Sequence, residues 1–445
     1  MNPTATPNAD QVKAEEEFVD FLLDPTEKEM RLIGPGGTGK SWLVQRLITS
    51  SLKTYQENCR VLGLEPDYCN YTLTALTNKA AQALQDATGL DVMTLHSWLS
   101  LTVKPNYSTG KQELRRTATW TIHEKYLVFI DESYMMDSKL LDELRMATQH
   151  CKIVFIGDDK QLDPVDSSKS PIAELKVRTS ELTIPVRNSG SKALQGLCQL
   201  LRDNVAGAVQ EADGLISEHI WPMIPLTPGE VDHIEDSDLE SVLKSIFGKA
   251  NGNNLIVAFS NQRVNYYNNF LRSYRGQGHL FEAGEVMISN DLFERGKFRI
   301  RNEQMIEILD VDPFISWLKI ADLDVPTQYV RIVGHPDFSV PVIIDREFHK
   351  QALKHCADRA KAKLQDWKPY YDLKDHFADF RPRDACTVHK SQGSTKDLVL
   401  VDLNNIGSCN FTVMTARMLY VAISRARHRI ILYGNLPSKY GGVIL

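Results

Sequence analysis

The stretch Arg31–Ile48, RLIGPGGTGKSWLVQRLI, restricts the fold of this chain more than any other segment. A short apolar run, Leu32–Ile33, enters a turn with glycine at 34, 36, 37 and 39, and Leu43, Leu47 and Ile48 then follow a helical period. A strand that turns this tightly into a helix belongs to a parallel α/β sheet. The G-x-x-x-x-G-K-S spacing aims the backbone N–H groups of Gly34, Gly36, Gly37, Thr38 and Gly39 inward, where they can cradle phosphate oxygens. Lys40 can then reach the β- and γ-phosphates, and the Ser41 hydroxyl can ligate Mg²⁺. A glycine-rich loop that merely precedes Lys-Ser is the bland alternative. The full spacing, with strand before and helix after, favours a nucleoside triphosphate site.

Such a site needs a second carboxylate on the metal and a group to orient the attacking water. KYLVFIDES, Lys125 to Ser133, offers both: Leu127–Ile130 reads as a buried parallel strand, with Asp131 and Glu132 at its carboxyl end. Asp131 is the expected Mg²⁺ partner and Glu132 the expected general base. A further strand, Ile153–Ile156, runs into GDDKQLDPV, where Gln161 could sense the γ-phosphate; taken alone, that segment reads rather as a polar turn.

At 445 residues the chain is too long for one ordinary core, so two or more domains are expected. Its seven cysteines are scattered and form no C-x-x-C pair, which argues against a disulfide framework or zinc site and for a reducing cytoplasm. The polar start MNPTATPNAD has no apolar signal region, and no apolar run reaches the length of a membrane span. With a net charge of −6, any nucleic-acid site must be a local groove.

The remaining two-thirds repeat strand-like and helical runs without a second glycine-rich loop. NNLIVAFSNQRVNYYNNFLR (253–272) reads as strand, turn and helix; TVHKSQGST (387–395) precedes the strand LVLVDL (398–403). MLYVAISRARHRIILYG (418–434) gives a helix, Arg425 and another strand. Two stacked α/β domains of which only one carries the lysine loop imply nucleotide in the cleft between them. Arg187, ending LTIPVR, and Arg425 would then reach the γ-phosphate from the second domain.

The ordered set GPGGTGKS, TALTNKAA, TLHSWL, FIDES, GDDKQLDPV, LTIPVR, TVHKSQGS and LYVAISRAR resembles superfamily-1 helicases of the RecD-like group along nearly the whole chain. The resemblance implies two RecA-like parallel-sheet domains, ATP and Mg²⁺ as cofactors, and single-stranded and forked DNA as partners. It places Thr77 and His96 on DNA from the first domain, and Thr387 and His389 from the second. Lys390, Gln392 and Gly393 would line the path to the nucleotide. Gln11 matches the position of a glutamine that reads adenine. Leu76 departs from the usual proline, and Thr395 stands where many relatives hold the ribose with glutamate.

The resemblance divides the chain into a first RecA-like domain (1–100 and 125–186) and a second (187–285 and 385–445). Residues 101–124, with the turn signal NYSTG, read as a β-hairpin. Lys104, Lys111, Arg115 and Arg116 against Glu113 and Glu124 give that segment a net +2 in an acidic protein. The family places a strand-separating pin there, with Trp120 as its aromatic or else packed in the core. Residues 286–384 correspond to an SH3-like insertion followed by a charged, solvated helix. The implied activity is ATP-driven travel along one strand, 5′→3′, with duplex unwinding by a cytoplasmic monomer. A single-strand-binding protein is a further candidate partner. The alternatives are a translocase that remodels protein–DNA complexes and a subunit of a recombination complex.

Overall fold

The computed structural model describes residues 6–162, 170–184, 191–250, 252–278, 280–320 and 322–440. Two parallel sheets dominate it. The first runs in the spatial order Arg178–Glu181, Glu29–Ile33, Lys152–Gly157, Tyr126–Asp131, Asn70–Ala75, Met93–Thr94. The central strands Tyr126–Asp131 and Lys152–Gly157 are mostly apolar because helices cover both faces. Successive residues point to opposite faces, so Phe129, Val154 and Ile156 join one buried cluster while Val128, Ile130 and Phe155 join another. Each such side chain contributes about 1.5–3 kcal/mol when fully buried.

The second sheet, Val231–Ile234, Ala426–Tyr433, Lys396–Asp402, Asn254–Ala258, Ala385–Thr387, is also wholly parallel. Val399 and Val401 lie under the helices Lys192–Ala212 and Thr412–Ser424, and Leu400 faces the opposite cluster. No helix among the described residues is long and apolar enough to cross a membrane, and all seven cysteines are free.

Two further units project from these sheets. The expected hairpin is present but shorter: Leu101–Asn106 pairs with Lys111–Arg116, and the chain has left the ladder before Trp120. Asn106 Oδ1 accepts from the Ser108 and Thr109 N–H groups, and Gly110 closes the turn at φ +69°. Between Val286 and Pro382 an antiparallel sheet forms around Ile306, Ile308, Val330, Val340 and Phe380. Helices Arg346–Lys361 and Lys368–His376 follow within it. The first of these is charged, as its sequence indicates, yet buries His349, Ala352, Cys356 and Ala360 on one side.

The two projections touch. The Trp367 N–H donates to Tyr107 O at 3.0 Å, Tyr371 OH donates to Gly110 O at 3.2 Å, and the Tyr107 and Tyr371 rings meet edge-on at 5.7 Å. A Cβ on Gly110 would sit 2.2 Å from the Trp367 ring, so only glycine fits there.

Candidate nucleotide cleft and strand-facing surface

The carboxyl ends of the first sheet present the phosphate loop. Gly34 N–H donates to Gly157 O at 3.2 Å, and a Cβ at Gly34 would meet Leu182 O at 2.5 Å, so the loop lies tight against two neighbouring strands. Gly37 and Gly39 have φ of +92° and +84°, and Gly39 caps the helix Lys40–Arg46. Lys40 Nζ donates to Gly34 O at 2.6 Å and to Pro35 O at 3.0 Å, arching back over the loop. Thr38 Oγ1 donates to Pro35 O.

Asp131 ends its strand in front of this loop, and Glu132 follows at φ +53°. Burial, and next the charge on Glu132, push the Asp131 carboxyl up to about 7, against the pull of the Lys40 ammonium. Two adjacent carboxylates short of positive charge, beside the Ser41 hydroxyl, suit a hard divalent cation with oxygen ligands. Lys40, Ser41, Asp131, Glu132, Gln161, Gly393 and Arg425 line one cleft of about 340 Å³, with Gly36, Gly37, Thr38, Gly39 and Thr395. Arg425 is buried and donates to Val421 O at 3.1 Å and Ser424 Oγ at 2.8 Å. Residues of both sheets therefore meet in the cleft. Arg187 lies outside the described residues.

Gln11 belongs to the loop in another way. Its Nε2 donates to Thr38 O at 3.2 Å, its Oε1 accepts from Asn8 N–H at 3.1 Å, and it is buried away from the cleft lining. The amide braces the loop and caps the first helix; it does not face the cleft as an adenine reader must. The N-x-x-Q capping box at Asn8 was the available signal.

A polar hub that sequence reasoning missed joins the two halves behind Gln161. The buried Asp158 accepts from Arg202 at 2.9 Å, from Tyr420 OH at 2.5 Å and from Gln161 Nε2 at 3.3 Å. Arg202 also reaches Asp159 and Glu181, and Arg417 donates to the carbonyls of Asp159 and Gln161. The sequence hint was an arginine inside the apolar stripe Leu194, Leu197, Leu201, Val205.

The expected strand-contact residues divide. Thr77 is exposed and caps the helix Asn78–Thr88, accepting from Ala80 N–H at 3.1 Å. His96 and His389 are half-buried, and burial lowers both imidazoles from their usual pKa, favouring the neutral form of each. Thr387 is buried, and its hydroxyl accepts from Lys390 N–H at 3.4 Å. It holds the turn as a helix cap and does not offer an open grip. Trp120 is likewise corrected: its ring packs beside the core of the first sheet with the Arg116 guanidinium 4.1 Å over it, and the hairpin tip is Tyr107–Gly110. Lys390 turns from the cleft to Asn290.

The family model described as "AAA domain" matches residues 8–219, and that described as "UvrD-like helicase C-terminal domain" matches 384–433. The ATP-dependent DNA helicase dda of Enterobacteria phage T4 is 22% identical over 442 residues, covering 89% of this chain and 92% of the relative. The chain is related to the superfamily-1 helicases, which are ATP-hydrolysing enzymes. An uncharacterized protein of Acanthamoeba polyphaga mimivirus is also 22% identical, over 95% of this chain and 99% of its own. Among solved structures, the Pif1 helicase of Candida albicans aligns over 99% of this chain and 96% of its own at 16% identity, TM-score 0.47. Bacteroides Pif1 in complex with ADP-AlF3 and ssDNA covers 99% and 95% at 15% identity, TM-score 0.46. In this helicase relative the first matched segment contains Lys40, Glu132, Gln161 and Arg202, and the second contains Gly393 and Arg425.

Proposed function

We propose that this protein is an ATP-dependent DNA helicase that moves 5′→3′ on single-stranded DNA and separates duplex ahead of it. The observation that carries the reading is the shared cleft, with the phosphate loop on one sheet and Arg425 on the other. When bound, ATP with Mg²⁺ supplies the phosphoanhydride whose hydrolysis releases the free energy. Lys40 and the loop N–H groups hold its phosphates, Ser41 and Asp131 hold the cation, and Glu132 takes the proton of the attacking water. Gln161 and Arg425 sense the γ-phosphate, and Arg187 is a second finger in this reading. Charge at that position draws the two sheets together, and its loss lets them part. Surfaces at Thr77 and His96 on one side and His389 on the other then alternate their hold on one strand. Thr387 acts through the turn that it caps.

The two RecA-like units, the hairpin and the insertion at 286–384, read as an SH3-like lid, divide the work. The partners are single-stranded and forked DNA, with a single-strand-binding protein as an additional candidate, and the working form is a cytoplasmic monomer.

A translocase that walks without unwinding would share the cleft but has no need of a braced hairpin. The contact of Tyr107 and Gly110 with Trp367 and Tyr371 favours unwinding, because a wedge must resist the duplex it opens. Gly110→Ala should free the tip and leave ATP hydrolysis stimulated by single strands unchanged. Unwinding should fall by about tenfold, since re-stacking of one base-pair step returns about 1.4 kcal/mol. Unwinding at the unsubstituted rate would make the hairpin a passive loop. Loss of strand-stimulated hydrolysis would assign it to the DNA grip.

A further inference from the structure

An unbalanced group of cations lies where the first sheet, the second sheet and the insertion meet. Lys79, in the first turn of the helix Asn78–Thr88, places Nζ 3.4 Å from Glu303 Oε2 and donates to Lys390 O at 3.1 Å. Both partners of the ion pair are shielded, at 27% and 20% side-chain exposure. Lys396 Nζ donates to Gly252 O at 2.6 Å. Among the described residues, Arg383 makes a 3.5 Å contact with Met305 Sδ through Nη1, and its buried Nε finds no partner there. Burial first, then the charges of Arg383 and Lys79, lower the Lys396 pKa. Asp397, the other acid nearby, is engaged with Arg427 and His428. Glu303 is therefore the one carboxylate paired with this group among the described residues. It sits at φ +64°, an unusual conformation for glutamate, fixed by donation of its N–H to Ser289 O at 2.8 Å.

A carboxylate on a lysine at a helix amino terminus occupies the place an anion such as phosphate prefers. Thr77, two residues earlier, is the exposed cap of the same helix. We propose that Lys79, in the field of Arg383 and Lys396, is a seat for one backbone phosphate of single-stranded DNA, and that Glu303 fills this seat as an internal anion until the strand displaces it. This rests on the helicase reading and adds to it a charge gate formed by the insertion. The gate biases the free protein against weak or short-lived encounters, because a strand must replace an existing ion pair to be held. Glu303 is offered through a constrained loop, and Lys79 through a helix that also lines the nucleotide cleft at Ala80, Ala83 and Leu84. Seating a phosphate there would be felt at both sites.

The test is binding of a fluorescein-labelled oligothymidine by the full chain, read by fluorescence anisotropy over a salt series. Glu303→Gln should tighten binding several-fold and steepen the salt dependence by up to about 0.7 in log–log slope, the counterion release of one single-strand phosphate. Lys79→Gln should weaken binding, and most of the Glu303→Gln gain should vanish in that background. Should Glu303→Gln melt below the assay temperature, Glu303→Asp carries the same test with a smaller tightening, because its charge is withdrawn by one methylene. Unchanged or weaker binding by the Glu303 variant, or an equal gain with Lys79 replaced, would overturn the gate and make the pair a structural brace. Failure of the unsubstituted chain to bind the oligonucleotide would instead remove the helicase reading itself.

Discussion

Arg425→Ala is expected to lower DNA-stimulated ATP turnover by roughly 10³-fold, about 4 kcal/mol of transition-state stabilisation, with a much smaller change in KM. The guanidinium is buried at the cleft, held by Val421 O and Ser424 Oγ at the end of its helix. Its benefit appears as charge develops on the transferring phosphoryl group, so kcat should carry the loss. Steady-state phosphate release with saturating single-stranded DNA measures this. Turnover within a few-fold of the unsubstituted chain would show that the second sheet takes no part in the chemistry.

The phosphate loop and the acid pair give the second large effect. Lys40→Ala should nearly abolish hydrolysis while thermal melting without nucleotide stays close to that of the unsubstituted protein, because the Lys40 hydrogen bonds among the described residues go to loop carbonyls. Glu132→Gln should behave differently. The cation side chains Ser41 and Asp131 remain, so nucleotide should still bind, while hydrolysis falls by about 10²–10⁴-fold through loss of the base. A filter-binding assay with labelled ATP separates the two. Retained ATP with slow turnover supports the base assignment, and rapid turnover in Glu132→Gln would contradict it.

These sites were legible because their signals are local. A strand, four glycines and Lys-Ser lie within a dozen residues, and the acid pair ends a single apolar run. The hairpin was legible for the same reason, since Asn106, Gly110 and the alternating flanks lie together. What the residues alone concealed is long-range pairing. Arg202 and Asp158 are 44 residues apart, and Tyr371 reaches Gly110 across 261. No local pattern announces either contact. The misplaced roles share another cause: one side chain serves two purposes equally well on paper. A threonine ahead of a short helix can face a strand or cap the helix, and Thr387 caps. A tryptophan in a basic insertion can stack on a base or close a core, and Trp120 lies under Arg116 against the core. Gln11 had a capping partner three residues earlier, and that partner claims its amide.

Strand separation of duplexes with a single-stranded tail on only the 5′ or only the 3′ end tests the central claim most directly. The protein should be in excess over the duplex, and fluorescence of a labelled strand should be followed with and without ATP. The account predicts separation that requires ATP and the 5′ tail and is lost with Arg425→Ala. Separation from the 3′ tail alone would reverse the direction of travel. DNA-stimulated ATP hydrolysis with no separation from either substrate would contradict the claim that closure of the shared cleft drives unwinding.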